Sequence, residues 1–109
     1  MEGKKMIYIL AIRQLVPGKT AEYRDIETKQ LMPFFNKSGI KMIGHWSTII
    51  GNSNETVNIY AYNDLTHYQK VREAALKDPE YQKLSAALNS VSVTSNSRLL
   101  QPSEWSPLK

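Results

Sequence analysis

The chain has 109 residues, of which 41% are hydrophobic and 22% charged, with a net charge of +4 and no cysteine. That length fits one domain, and the balance of apolar and charged residues excludes a disordered composition. Disulfides, thiolate zinc sites and cysteine nucleophiles are excluded together, and a reducing cytoplasm is the expected location.

Lys4 and Lys5 form the sole adjacent basic pair, and the other lysines are spread along the chain. This pattern lacks the basic stripe interleaved with aromatics that a nucleic-acid platform needs, so nucleic acid is not an expected partner. After the basic pair comes an apolar run from Met6 to Ile12, which Arg13 interrupts, and no small-residue cleavage site follows. It reads as a strand rather than a signal peptide. No apolar run approaches the roughly 20 residues that a membrane-crossing helix needs. Asn54-Glu55-Thr56 matches the glycan sequon, which has no use without secretion.

Residues 7 to 15, IYILAIRQL, alternate and are rich in β-formers, and Pro17-Gly18 breaks the run, so they predict the first strand. From Lys19 to about Ser38, Tyr23, Ile26, Leu31, Phe34 and Phe35 recur near helical spacing and predict a helix. Gly39 is its expected C-terminal stop, and Pro33 predicts a kink or an early end. Lys41 to Ile50 and Glu55 to Tyr62 read as a hairpin around Gly51-Asn52-Ser53-Asn54. Asn63 or Asp64 caps a helical segment from Leu65 to Leu76. Asp78-Pro79 starts a second one that runs to about Leu88. Val91 to Leu100 predicts a fourth strand.

The order β-α-β-β-α-β predicts an α+β, ferredoxin-like fold, with a four-stranded antiparallel sheet and its helices on one face. The whole chain is expected to form one domain, with its core in residues 6 to 101. Residues 102 to 109 are expected to be an irregular tail, with Trp105 as its anchor.

Alternation along the strands separates two sets of side chains. Tyr8, Leu10 and Ile12, with Val57, Ile59 and Ala61, are apolar and are expected under the helices. Ile9, Ala11, Arg13, Asn58, Tyr60 and Tyr62 are then expected on the open face, joined by Trp46, Thr48, Asn96 and Arg98. A one-residue slip in the second strand exchanges His45 for Trp46. Two such faces packed together form a barrel-like homodimer with a lined interior.

Three stretches carry a family resemblance. MIYILAIRQLVPGK (6 to 19), the hairpin from Gly44 to Tyr62, and SRLLQP (97 to 102) resemble the NIPSNAP family. The hairpin motif is carried by Gly44, Trp46, Ile50, Gly51, Asn54, Val57, Tyr60 and Tyr62, and REAALKDPEYQKL resembles the family's helix pair. The resemblance implies a ferredoxin-like fold of the dimeric α/β-barrel type. It implies little about activity: small microbial members are mostly uncharacterised, and mitochondrial animal members are associated with vesicle transport, mitophagy signalling and protein binding. Relatives of similar architecture include cofactor-independent monooxygenases and haem-degrading enzymes, which is an analogy of fold. The family often has glutamate and arginine in its first strand, where this chain has Ile9 and Ala11.

Arg13, Trp46, Asn58, Tyr60, Tyr62 and Arg98 are the candidate ligand-binding residues. His45, Tyr60 and Arg98 are the candidate catalytic ones: His45 titrates near neutrality, Tyr60 can move a proton, and Arg98 can hold an anion bidentately. Each has a structural alternative: a packed histidine, an aromatic filling a dimer interior, an intersubunit ion pair. His67 reads as a surface residue. The two histidines lack metal-ligand spacing, and no phosphate loop, dinucleotide fingerprint or nucleophile elbow is present, so neither metal nor cofactor is expected. The expected function is a small-molecule-binding or protein-interaction module. The alternative is a cofactor-independent monooxygenase or isomerase acting on a small organic substrate.

Overall fold

A computed structural model describes residues 5–109, so Lys4 of the basic pair lies outside the described residues. The strands are β1 (Ile7–Leu15), β2 (Lys41–Ser47), β3 (Glu55–Tyr62) and β4 (Ser92–Leu100). They form one antiparallel sheet in the order β2-β3-β1-β4, the ferredoxin-like arrangement, with β1 paired to both β3 and β4. Residues 101 to 109 add neither strand nor helix.

The first helical stretch is α1 (Thr20–Ile26), a π-helical turn (Glu27–Leu31) and α2 (Met32–Ser38). Pro33 lies just inside α2 and does not end the helix. Its ring lacks an N–H and crowds the carbonyl four residues back. The wide turn before it shifts the hydrogen-bond ladder by one residue, so that Met32 N–H donates to Glu27 O. The proline is thereby accommodated without a break, and the π-turn rotates Glu27 inward, where it is buried. Gly39 closes α2 in the left-handed region at φ 73°, and Ile40 N–H returns to Phe35 O at 2.9 Å.

Helices α3 (Leu65–Leu76) and α4 (Pro79–Ser90) follow, each capped by an aspartate. Asp64 accepts from His67 N–H at 2.7 Å and Asp78 from Glu80 N–H at 2.9 Å. Two apolar clusters hold helices to sheet. Leu15, Tyr23, Ile26, Leu84, Leu88 and Val91 form one, and Ile9, Phe35, Ile40 and Tyr62 form the other. Leu15 is 1% exposed, and burial of such a side chain contributes about 2 kcal/mol.

The clusters correct the expected faces. Ile9, Ala11, Arg13, Asn58, Tyr60 and Tyr62 face the helices. By the register, Tyr8, Leu10, Ile12, Val57, Ile59 and Ala61 share the opposite face with Trp46, Asn96 and Arg98. Alternation separates two sets without saying which one the helices cover, and here the more apolar set is the open one. The physical reason lies in the helical stretch, which presents Glu27 and aromatic rings to the sheet. The polar and aromatic strand residues satisfy those groups, and the aliphatic ones would not.

Strand β2 ends at Ser47 rather than Ile50, and Ile49 and Ile50 stand 93% and 92% exposed in the loop before β3. Thr48 N–H donates to Glu55 O at 3.2 Å, and Gly51 takes the positive φ of 120° that the turn requires. A bulge between Met42 and Gly44 shifts the alternation of β2, so that His45 pairs with Asn58 and Trp46 with Val57. His45 therefore faces the helices and Trp46 the open side.

Candidate functional site

The site is built where the π-turn crosses β3. Glu27 is 8% exposed, and both its oxygens are engaged by neighbours. Oε2 accepts from the Tyr23 hydroxyl at 2.8 Å and from Asn58 Nδ2 at 3.3 Å, and Oε1 lies 2.7 Å from His45 Nε2. A carboxylate only accepts, so Nε2 carries the proton, and the same nitrogen lies 3.2 Å from Tyr23 Oη. Thr56 Oγ1 completes the group, donating to Tyr23 Oη at 3.5 Å.

This geometry sets the acid–base character of the cluster. The Glu27 hydrogen bond, opposed by partial burial and helped by the Glu27 charge, raises His45 above its ordinary value of 6.5. Burial is the main cause that pushes the Tyr23 hydroxyl up to about 12, and the same holds for Tyr60. Burial raises Tyr62 further still. These phenols stay neutral at physiological pH and can donate hydrogen bonds.

The cluster lines two hollows, and a third adjoins one of them. On the sheet side lies a cavity of about 140 Å³, walled by Phe34, Phe35, Tyr60 and Tyr62 and carrying Arg13, Asn58 and Glu27. A hollow of about 400 Å³ towards α3 shares the Phe34, Tyr60, Tyr62 and Tyr81 walls. On the other side, a cleft of about 470 Å³ opens beside β2, lined by His45, Tyr23, Glu27, Met32 and Met42.

Arg13 and Asn58 are polar groups of the cavity with unused hydrogen-bonding capacity. Arg13 Nη1 donates to Ser92 Oγ at 2.7 Å and reaches Leu88 O at 3.5 Å. Among the described residues, no carboxylate meets its guanidinium within 4.0 Å. Asn58 must turn Nδ2 to Glu27, which leaves Oδ1 buried with no hydrogen-bond partner. Such an atom costs free energy until a donor reaches it.

Of the sequence candidates, the structure brings Arg13, Asn58, Tyr60 and Tyr62 around one cavity and sets His45 in the adjoining cleft. It places Trp46 and Arg98 on the open face of the sheet, 50% exposed in the case of Trp46, where neither reaches the cavity. Sequence reasoning missed Glu27 and Tyr23. Their i, i+4 spacing is an ordinary helix signal, and the inward turn of Glu27 depends on the π-turn, which Pro33 alone hinted at. His67 is not a free surface residue. Its Nδ1 accepts from Asn63 N–H at 2.9 Å, and Nε2 donates to Ser38 O at 2.7 Å, so it ties the start of α3 to the end of α2. Among the described residues, no group of three His, Cys, Asp or Glu could hold a metal ion, and no helix is long and apolar enough to cross a membrane.

The chain is similar to several solved structures. A NIPSNAP family protein from Agrobacterium tumefaciens is 24% identical, with a TM-score of 0.84 over 100% of this chain and 96% of that one. An uncharacterized NIPSNAP-like domain protein from Burkholderia xenovorans is 25% identical, with a TM-score of 0.79 over 94% and 90%. SnoaB, a cofactor-independent oxygenase from Streptomyces nogalater, shares the fold at 19% identity, with a TM-score of 0.71 over 94% and 98%. No curated protein matches the chain significantly. The NIPSNAP family model itself matches residues 8–107, which takes in β1 from Tyr8 onward, the π-turn, the hairpin and β4, and on that match the chain belongs to the NIPSNAP family.

Proposed function

We propose that this protein binds a small organic molecule in the cavity between its helices and sheet, and that it does so as a homodimer joined through the open sheet face. The observation that carries the first part is Asn58. A buried amide fixed by Glu27, with an unpartnered acceptor on a residue that lines an aromatic-walled cavity, is suited to anchor a ligand's hydrogen-bond donor. Support for the second part is the open face itself. Trp46 and Leu100 on its flanking strands are 50% and 40% exposed, and Leu10, Ile12, Val57 and Ile59 are half-buried between them. A patch of that kind is commonly covered by a partner. A cytoplasmic location belongs to the same proposal and agrees with a cysteine-free chain.

The second reading is an enzyme, and the specific observation favouring it is the Glu27–His45–Tyr23 cluster that lines the wider cleft. A histidine oriented by a buried carboxylate can take and return a proton. The fold is shared with an oxygenase that needs no cofactor. Native mass spectrometry of the purified protein tests the proposal. A dimer carrying a small molecule, with that mass lost in Asn58→Leu, is the expected result; a bare monomer would overturn both parts.

A further inference from the structure

Resting on the reading of the cavity as a ligand site, the chemistry of its walls narrows the ligand class. We infer that the cavity takes a small planar organic anion that also carries a hydrogen-bond donor, such as a hydroxyaryl carboxylate, with its anionic end on Arg13 and its donor on Asn58 Oδ1.

The anionic end follows from Arg13. Its guanidinium enters the cavity from β1, half-buried, with Nη1 held by Ser92 Oγ and Leu88 O. Among the described residues, its remaining donors meet neither a carboxylate nor a hydrogen-bond acceptor. A guanidinium held on one side and open on the other is suited to a planar carboxylate or enolate, which it can grip with two parallel N–H groups.

The donor follows from Asn58. Glu27 fixes which way the amide points, so Oδ1 can only accept, and the missing partner must bring an O–H or N–H. Both Glu27 oxygens already accept within the cluster, from Tyr23, Asn58 and His45. The carboxylate charge sets polarity, repelling an anion from the Asn58 end and directing it to Arg13.

The spacing follows from the sheet. Arg13 pairs with Thr56 and Ala11 with Asn58, so Arg13 and Asn58 are diagonal neighbours on adjacent strands. Such positions stand roughly 7 to 8 Å apart at the backbone, so both side chains serve one small space. Ala11, opposite Asn58 and two residues before Arg13 on β1, leaves room for an aromatic ring, and Phe34, Phe35, Tyr60 and Tyr62 supply flat walls for it. Larger side chains at Ala11 would fill the space.

Calorimetric titration of the full chain with three probes tests the inference: 3-hydroxybenzoate, benzoate, and the uncharged 3-hydroxybenzyl alcohol. The hydroxy acid is expected to bind about tenfold or more tightly than either analogue, the size of one charge-assisted or one otherwise missing hydrogen bond. Arg13→Gln should level the acid with the alcohol, and Asn58→Leu should level it with benzoate. If either substitution impairs folding, the three probes on the unaltered chain still decide the matter, and Arg13→Lys serves as the milder variant. Equal binding of acid and alcohol to the unaltered chain overturns the anion assignment while leaving the cavity as a ligand site. Equal binding of hydroxy acid and benzoate overturns the role of Asn58. No binding of any probe overturns both this inference and the reading on which it rests.

Discussion

His45 Nε2 lies 2.7 Å from Glu27 Oε1, joining edge strand β2 to the π-turn of the first helical stretch. The contact exists because a bulge in β2 turns His45 towards the helices and the shifted ladder before Pro33 turns Glu27 towards the sheet. Each irregularity alone would leave one partner without the other.

The pair makes stability depend on pH in a defined direction. Hydrogen bonding to Glu27 raises the folded-state pKa of His45 above 6.5. The stabilisation is therefore fully present below the unfolded value and is lost as pH rises through the raised folded value. Denaturant unfolding between about pH 5.5 and 8.5 should show the unaltered chain losing stability relative to Glu27→Gln as pH rises. NMR titration should place the His45 midpoint above that of an unfolded peptide, with the increment lost in Glu27→Gln.

Removing the carboxylate altogether has a larger effect. Glu27→Ala leaves the Tyr23 hydroxyl and Asn58 Nδ2 buried without their acceptor, and His45 without its partner. Destabilisation of about 2 to 4 kcal/mol is expected in urea unfolding at neutral pH. A change near zero would mean that water replaces the carboxylate without cost.

Gly44 and Trp46 share the open face of β2, and the indole lies over the glycine. A Cβ at Gly44 would come within 2.6 Å of Trp46 Cζ2, so any larger residue there must lift the ring. Gly44→Ala is expected to cost about 1 to 2 kcal/mol and to change the tryptophan emission, whereas Gly18→Ala leaves that emission unchanged.

His67 bridges Asn63 N–H and Ser38 O. His67→Ala removes both bonds and the tie between α2 and α3, and about 1 to 2 kcal/mol of stability should go with them. Thermal unfolding followed by circular dichroism measures this loss, and His67→Gln, which can keep the bond to Ser38 O, should recover part of it.

Much of the fold was legible because its signals are local. The alternation of IYILAIRQL, Asp64 and Asp78 as caps, Gly39 as a stop and the Gly51 turn all act within a few residues, and the elements lie where those signals put them, except that β2 ends at Ser47, short of the Gly51 turn. The faces were not legible. The aliphatic set Leu10, Ile12, Val57 and Ile59 looks like a core, yet the helices cover the set that contains Arg13, Asn58 and Tyr60. Hydrophobicity ranks the two faces, while the side chains on the helices decide which is covered. The site was half legible for the same reason. Asn58, Tyr60, Tyr62 and Arg13 stood out as residues of one sheet face, whereas Glu27 depends on a non-local switch in the helix ladder.

The most direct test of a ligand cavity between helices and sheet is amide chemical-shift mapping by NMR as 3-hydroxybenzoate is titrated into the protein. Shifts that saturate together at Ala11, Arg13, Asn58, Tyr60 and Tyr62 are the expected result. Shifts centred on Trp46, Ile59 and Arg98 would place the ligand on the open face of the sheet and contradict the assignment of the cavity.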